Sequence, residues 1–135
     1  MTTIKEQIRT MLTSDTTYLS LMGSPASPPY QTFYLRPPER PTFPQVVYEL
    51  RPAIFNTDND RALITSQIDL SITVWAKSNV YEIIVNRIIW LLHQVENSNG
   101  FKCIINSEPV ELYDDEFNAY GLNITFRVHY RRCAI

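Results

Sequence analysis

The sequence predicts an α+β domain: a mostly antiparallel sheet of about four strands, with one long helix and an N-terminal helix packed on one face, and a Pro-rich extended arm. Three observations predict it. Residues 66–76 and 121–132 alternate apolar and polar side chains with the period of two that half-buried strands require. Residues 80–95 repeat apolar side chains at helical spacing instead. Seven of the nine prolines fall within residues 24–44, where they exclude helix. Strands that neighbour one another in sequence, with helices set to one side, argue for α+β with antiparallel pairing.

From the N-terminus, Thr3-Ile4-Lys5-Glu6 reads as a capping box, and Ile4, Ile8, Met11 and Leu12 carry a first helix to about Thr13. Asp15 can cap a second, short helical stretch through Tyr18, Leu19 and Met22, which Gly23 closes in the left-handed conformation. The arm, 24–44, allows at most a short edge strand at Thr32–Leu35. It also carries Tyr30, Phe33, Tyr34 and Phe43, aromatics that a disordered linker lacks, so it is expected to lie ordered on the domain or on a neighbouring subunit.

Gln45–Arg51 is the next strand, and a loop is expected from Pro52 to about Leu63. In Ser66–Ala76, Ile68, Leu70, Ile72 and Val74 face one way and Gln67, Asp69, Ser71 and Thr73 the other. Asn79 with Glu82 opens the long helix, whose stripe is Val80, Ile83, Ile84, Arg87, Ile88, Leu91, Leu92 and Val95, ending before Asn97-Ser98-Asn99-Gly100. Phe101–Asn106 is a further strand, Val110–Tyr113 its continuation after Pro109, and Asp114-Asp115-Glu116 an acidic loop. In the last strand, Leu122, Ile124, Phe126, Val128 and Tyr130 alternate with Asn123, Thr125, Arg127, His129 and Arg131.

The totals bound the function. At 135 residues and 15.7 kDa the chain is expected to be one domain (1–23 helices, 24–44 arm, 45–135 sheet and long helix), large enough for a core without staples. A net charge of −2 provides no general basic field for nucleic acid. Cys103 and Cys133 are too few for a metal quartet or disulfide framework and read as reduced core thiols. Neither a leader pattern nor an apolar run long enough to span a membrane is present, so a soluble protein is expected.

No constellation of catalytic residues emerges. His93 falls late on the long helix and His129 on the polar face of the last strand, neither beside a nucleophile in sequence. Asp114-Asp115-Glu116 offers oxygen ligands, but consecutive acids diverge and a solvated turn is the expectation. Asp58-Asn59-Asp60 begins like a calcium loop without the Gly and distal Glu such a loop needs. Three glycines leave no phosphate-cradling loop. No catalytic residue, metal or cofactor is expected. Arg127, Arg131 and Arg132 form either a charged solvent face that blocks edge-to-edge aggregation or a rim contacting an acidic partner subunit. The proline-stiffened arm can dock at a reduced ordering cost, which favours contact for its aromatics. The residues assigned to subunit contact are Tyr30, Phe33, Tyr34, Phe43, Asp58, Asp60, Arg127 and Arg131.

In its order of pieces the chain resembles the tail terminator, or tail completion, proteins of tailed bacteriophages. The resemblance runs through IKEQIRTMLTSD, TTYLSLMG, the proline-rich stretch, PTFPQVVYEL, IDLSITVWA followed by SNVYE, and LNITFRVHYRR, and covers nearly the whole chain. It implies a sheet flanked by helices and a homo-oligomeric ring, typically a hexamer, at the head-proximal end of the tail. Such a ring caps the tail tube, stops its polymerisation and joins it to the neck, or head connector, protein. DNA only passes through its lumen, and neither enzymatic activity nor a membrane is involved. The family has no invariant interface motif to carry over. A neck or head-closure protein is the near alternative. A small enzyme using His129 with Arg127 or Arg131 on an anionic substrate, or a ligand-binding module, is the alternative of another class.

Overall fold

A computed structural model of the chain describes residues 4–23, 30–36, 43–57, 63–93 and 102–133; the side chains of residues 4, 52–57, 63–67 and 129–133 fall outside that description. Two helices, α1 (Ile4–Thr13) and α2 (Thr16–Leu21), precede strands β1 (Thr32–Tyr34), β2 (Gln45–Thr57) and β3 (Leu63–Ala76). Helix α3 (Val80–Leu92) and strands β4 (Lys102–Ile105), β5 (Val110–Asp114) and β6 (Ala119–Cys133) complete the chain.

The α+β class is as expected, but the sheet has six strands rather than about four and is mixed rather than mostly antiparallel. Its order is β1-β2-β3-β6-β4, with β5 also on β6. The strand β1 runs parallel to β2, pairing Thr32 with Val46 and Tyr34 with Tyr48. A parallel neighbour needs a crossover of about a dozen residues, and the ten residues 35–44 approach it. Of the arm, residues 24–29 and 37–42 lie outside the described residues.

Strands β2 and β3 are also longer than expected. The loop anticipated from Pro52 is strand to Thr57, because a bulge between Pro52 and Phe55 absorbs one extra residue and shifts the ladder around the proline. At about 3.3 Å per residue, the 14 residues of β3 run some two to three times the length of the 13-residue α3, at about 1.5 Å per residue. Asp58 and Asp60 lie outside the described residues.

On one face of the sheet, Val46, Tyr48, Leu70, Ile72, Val74, Leu122, Ile124, Phe126 and Val128 are buried beneath Ile8 and Leu12 of α1, Tyr18 of α2 and Ile84, Val85, Ile88 and Leu92 of α3. The expected alternation of 68–76 and 122–128 is borne out. The helix stripe is corrected: Val85 is buried and Ile83 is exposed, because the sheet meets α3 along 84, 85, 88 and 92. The helix ends at Leu92, before the expected Val95. His93 turns extended there and bridges Cys103 in parallel, its Nδ1 accepting from the Ile105 N–H at 3.0 Å.

The α2 start is as expected. Asp15 caps it, accepting from the Tyr18 N–H at 2.8 Å, and Gly23 follows the helix with φ +87°. The same carboxylate takes a fork of hydrogen bonds from Arg87 on α3, Nε to Oδ2 at 2.8 Å and Nη2 to Oδ1 at 2.7 Å. Arg87 thus ties two helices together where the stripe had shown only a polar interruption. Its guanidinium, bidentate on the carboxylate, holds the Asp15 pKa below the usual range. Beneath these helices, Tyr18 Oη and Thr32 Oγ1 are 2.7 Å apart, and burial raises the Tyr18 pKa. Cys103 is the buried thiol expected, its pKa pushed up to about 12 by burial; the Cys133 side chain lies outside the described residues.

Candidate functional site

The opposite face of the sheet carries no helix among the described residues, and its register can be read row by row. One row runs Phe33–Val47–Thr73–Asn123–Val110 across β1, β2, β3, β6 and β5. The next is Glu49–Ser71–Thr125, and a third Arg51–Asp69–Arg127–Ile104. The central positions are half-buried. Asn123 Nδ2 donates to Ser71 Oγ and Thr73 Oγ1, each at 2.9 Å. Arg127 Nε lies 3.6 Å from Asp69 Oδ1, and Arg51 holds Glu49. Among the described residues this surface is a polar lattice of parallel rows, in which Asp69 Oδ1 and Arg127 Nε are buried without a hydrogen-bond partner.

One end of this face is aromatic. Trp75 lies flat over Gly121, where an added Cβ would come within 2.7 Å of the indole ring, so the close approach requires glycine. Phe43, ahead of β2, meets Phe117 of the β5–β6 turn at 6.2 Å, and the Lys77 ammonium stands 4.9 Å from the Phe43 ring centre.

The sheet's two outer edges differ in composition. On one side, β4 and β5 lie end to end along β6, interrupted at Ser107-Glu108-Pro109. The continuation expected after Pro109 is present. The outer side of β4 is capped by His93. Nothing among the described residues caps β5, where Val110, Glu111, Leu112 and Tyr113 are all exposed. The expected acidic loop is the β5–β6 turn, in which Asp114 Oδ1 accepts from the Glu116 N–H at 2.9 Å. On the other side, β1 is entered through Tyr30 and Gln31, both with positive φ, and left through Leu35, with φ +69° and 54% exposed. Three non-glycine residues in the left-handed region are costly. They are held by Gln31 Nε2 to Pro44 O at 2.7 Å, Val46 N to Gln31 O at 2.9 Å and Leu35 N to Tyr48 O at 2.9 Å.

The residues assigned to subunit contact are therefore dispersed. Tyr30 precedes β1, half-buried; Phe33 is on the open face; Tyr34 is on the helix-covered face, edge-on to Tyr48 at 5.2 Å and beneath the Lys5 ammonium at 5.0 Å. Phe43 joins the aromatic end and Arg127 the polar lattice. Arg131 pairs with Thr65 through the backbone, its side chain outside the description. Sequence reasoning missed Trp75, Val110 and Leu112 as surface features. For Val110 and Leu112 the signal was a five-residue strand, VELYD, hydrophobic at positions that no described element covers. On α3, Trp90 is 68% exposed with the Arg87 guanidinium 4.4 Å above its ring.

No family model matches the chain, and no curated protein does. Its fold is shared with a chain of a solved structure described as the virion of a native gene transfer agent particle. The TM-score is 0.68 at 12% identity, over 93% of this chain and 92% of that one.

Proposed function

We propose that this chain is a structural subunit of a phage-like virion, a tail terminator that assembles into a ring, typically a hexamer, at the head-proximal end of the tail. The observation that carries this reading is the fold shared over nearly the full length of both chains with a component of a virion particle. A likeness covering 92% of that chain leaves little room in it for an added domain. The surface is consistent with such a role: a sheet covered by helices on one side, a β5 edge that no described residue covers, and polar side chains of the other face engaged with one another. Stacked and closed on itself, the ring caps the tail tube, ends its growth and presents its other side to the neck protein, with DNA passing through the lumen.

Negative-stain electron microscopy of the purified protein tests this directly. Rings are expected, and with tail-tube protein present they are expected at one end of each tube, limiting its length. Rings that bind the head connector but leave tube growth unlimited would assign the chain to the neck. Monomers under all these conditions would overturn the reading.

A further inference from the structure

Strand β5 is a sheet edge that no described residue covers. Exposed edges are normally blunted by lysine, proline, a bulge or a covering element, because their free backbone groups recruit another strand. Within β5 there is no lysine, proline or bulge, its two charges, Glu111 and Asp114, are both acidic, and no described residue covers it, while the adjoining β4 is capped by His93. Val110 and Leu112 are 53% and 40% exposed. Charge is equally one-sided: residues 108–116 carry Glu108, Glu111, Asp114, Asp115 and Glu116 with no lysine or arginine.

The edge at the far end of the strand order has the complementary character. Beside exposed Leu35, Arg36 is exposed, and Lys5, Arg9 and Arg51 stand on the flanking α1 and β2 against Glu6 and Glu49, of which Glu49 is held by Arg51. We infer that the acidic β5 edge of one copy receives the basic β1–α1 edge of a second copy. The two edges belong to opposite ends of one sheet, so the contact is head-to-tail and leaves a free β5 and a free β1 at the ends of every partial assembly. Such a contact closes into a ring when its rotation divides the circle. Glu108 and Glu111 supply the charge that selects Arg36 and Lys5, and Val110 and Leu112 meet Leu35. A stable contact buries roughly 800 Å² per partner, and a ring subunit makes two, about a fifth of the 8314 Å² of surface here. This inference rests on the ring reading and names its contact.

Two reversed variants of the full chain test it, followed by native mass spectrometry and sedimentation velocity. Glu108→Lys/Glu111→Lys sets two lysines against the basic edge and takes residues 108–116 from a charge of −5 to −1; Lys5→Glu/Arg36→Glu sets two glutamates against the acidic edge. Each alone is expected to raise the concentration needed for assembly at least tenfold. Mixed in equal amounts they are expected to co-assemble in alternation, beyond dimers, which also shows that both fold. A wild-type ring untouched by either reversal would overturn the edge contact and leave the virion reading standing. Mixtures that stop at dimers would overturn it in favour of a twofold β5–β5 contact. Wild-type protein that stays monomeric would overturn both.

Discussion

The two faces of this sheet come from the same strands and alternate residues, yet they do opposite work. Positions 70, 72, 74, 122, 124, 126 and 128 are at most 8% exposed beneath three helices, whereas 69, 71, 73, 123, 125 and 127 are all half-buried with no helix above them among the described residues. The covered face holds the monomer together by removing apolar area from water. The open face engages part of its polar groups laterally, through Asn123, Ser71 and Thr73, and leaves its rows available to other molecules. Stability and availability are thus separated by a single-residue step along each strand.

The sharpest way to break this comparison is to remove mass from the covered face. Phe126 is fully buried between β3 and α3. Phe126→Ala is expected to cost about 3–5 kcal/mol. That is a large share of the roughly 5–15 kcal/mol a domain of this size holds, and chemical denaturation measures it. Next in size is a place where the open face is itself tightly packed. Gly121→Ala drives a methyl into Trp75 and is expected to cost about 1–3 kcal/mol. In a Trp75→Leu background the penalty should shrink, because the ring it strikes is gone; equal penalties in both backgrounds would show that the contact is not its origin.

A smaller effect tests how the helical layer is pinned. Asp15→Ala removes the α2 cap together with the fork to Arg87 and is expected to cost at least about 1 kcal/mol, the usual size of the cap alone. Because Arg87 lowers the Asp15 pKa in the folded state, the stabilisation is full at neutral pH and is lost as pH falls through that lowered value. In Arg87→Met the main cause of lowering is absent, so the acid loss should begin at a higher pH than in wild type. Urea midpoints collected from neutral to strongly acidic pH measure this, and superimposable profiles would count against the Asp15–Arg87 fork.

These features were unequally legible in the sequence. The alternation in 68–76 and 122–128 placed the covered face, and the Asp15 cap and Gly23 terminator were readable because their chemistry is local. Long-range features were not. Asp15 and Arg87 are 72 residues apart, and nothing near either announces the other. The helix stopped at Leu92 because His93 joins Cys103 across the fold, a competition invisible to periodicity. Pro52 read as a strand terminator, but a bulge beside it let β2 continue. The parallel β1–β2 pair arose from a proline-rich stretch whose local pattern allowed an edge strand without specifying a partner. Aromatic and charged residues in the arm and last strand drew attention by composition, while the uncovered β5 became evident only once its neighbours were in place.

The smallest expected effect is the most discriminating for the open side. Val110 and Leu112 project from β5 at exposed positions, so replacing both with threonine, which strands tolerate well, removes little that the monomer uses. Val110→Thr/Leu112→Thr is expected to move monomer stability by no more than about 0.5 kcal/mol, the usual range for surface substitutions. Assembly, in contrast, should weaken, because the same side chains lose the apolar surface they offer to a second copy. Thermal melting of dilute protein and sedimentation at high concentration separate the two readouts. A large loss of stability in the dilute sample would mean that β5 belongs to the internal packing of the monomer, and the division of labour between the two sides of the sheet would fail at that edge.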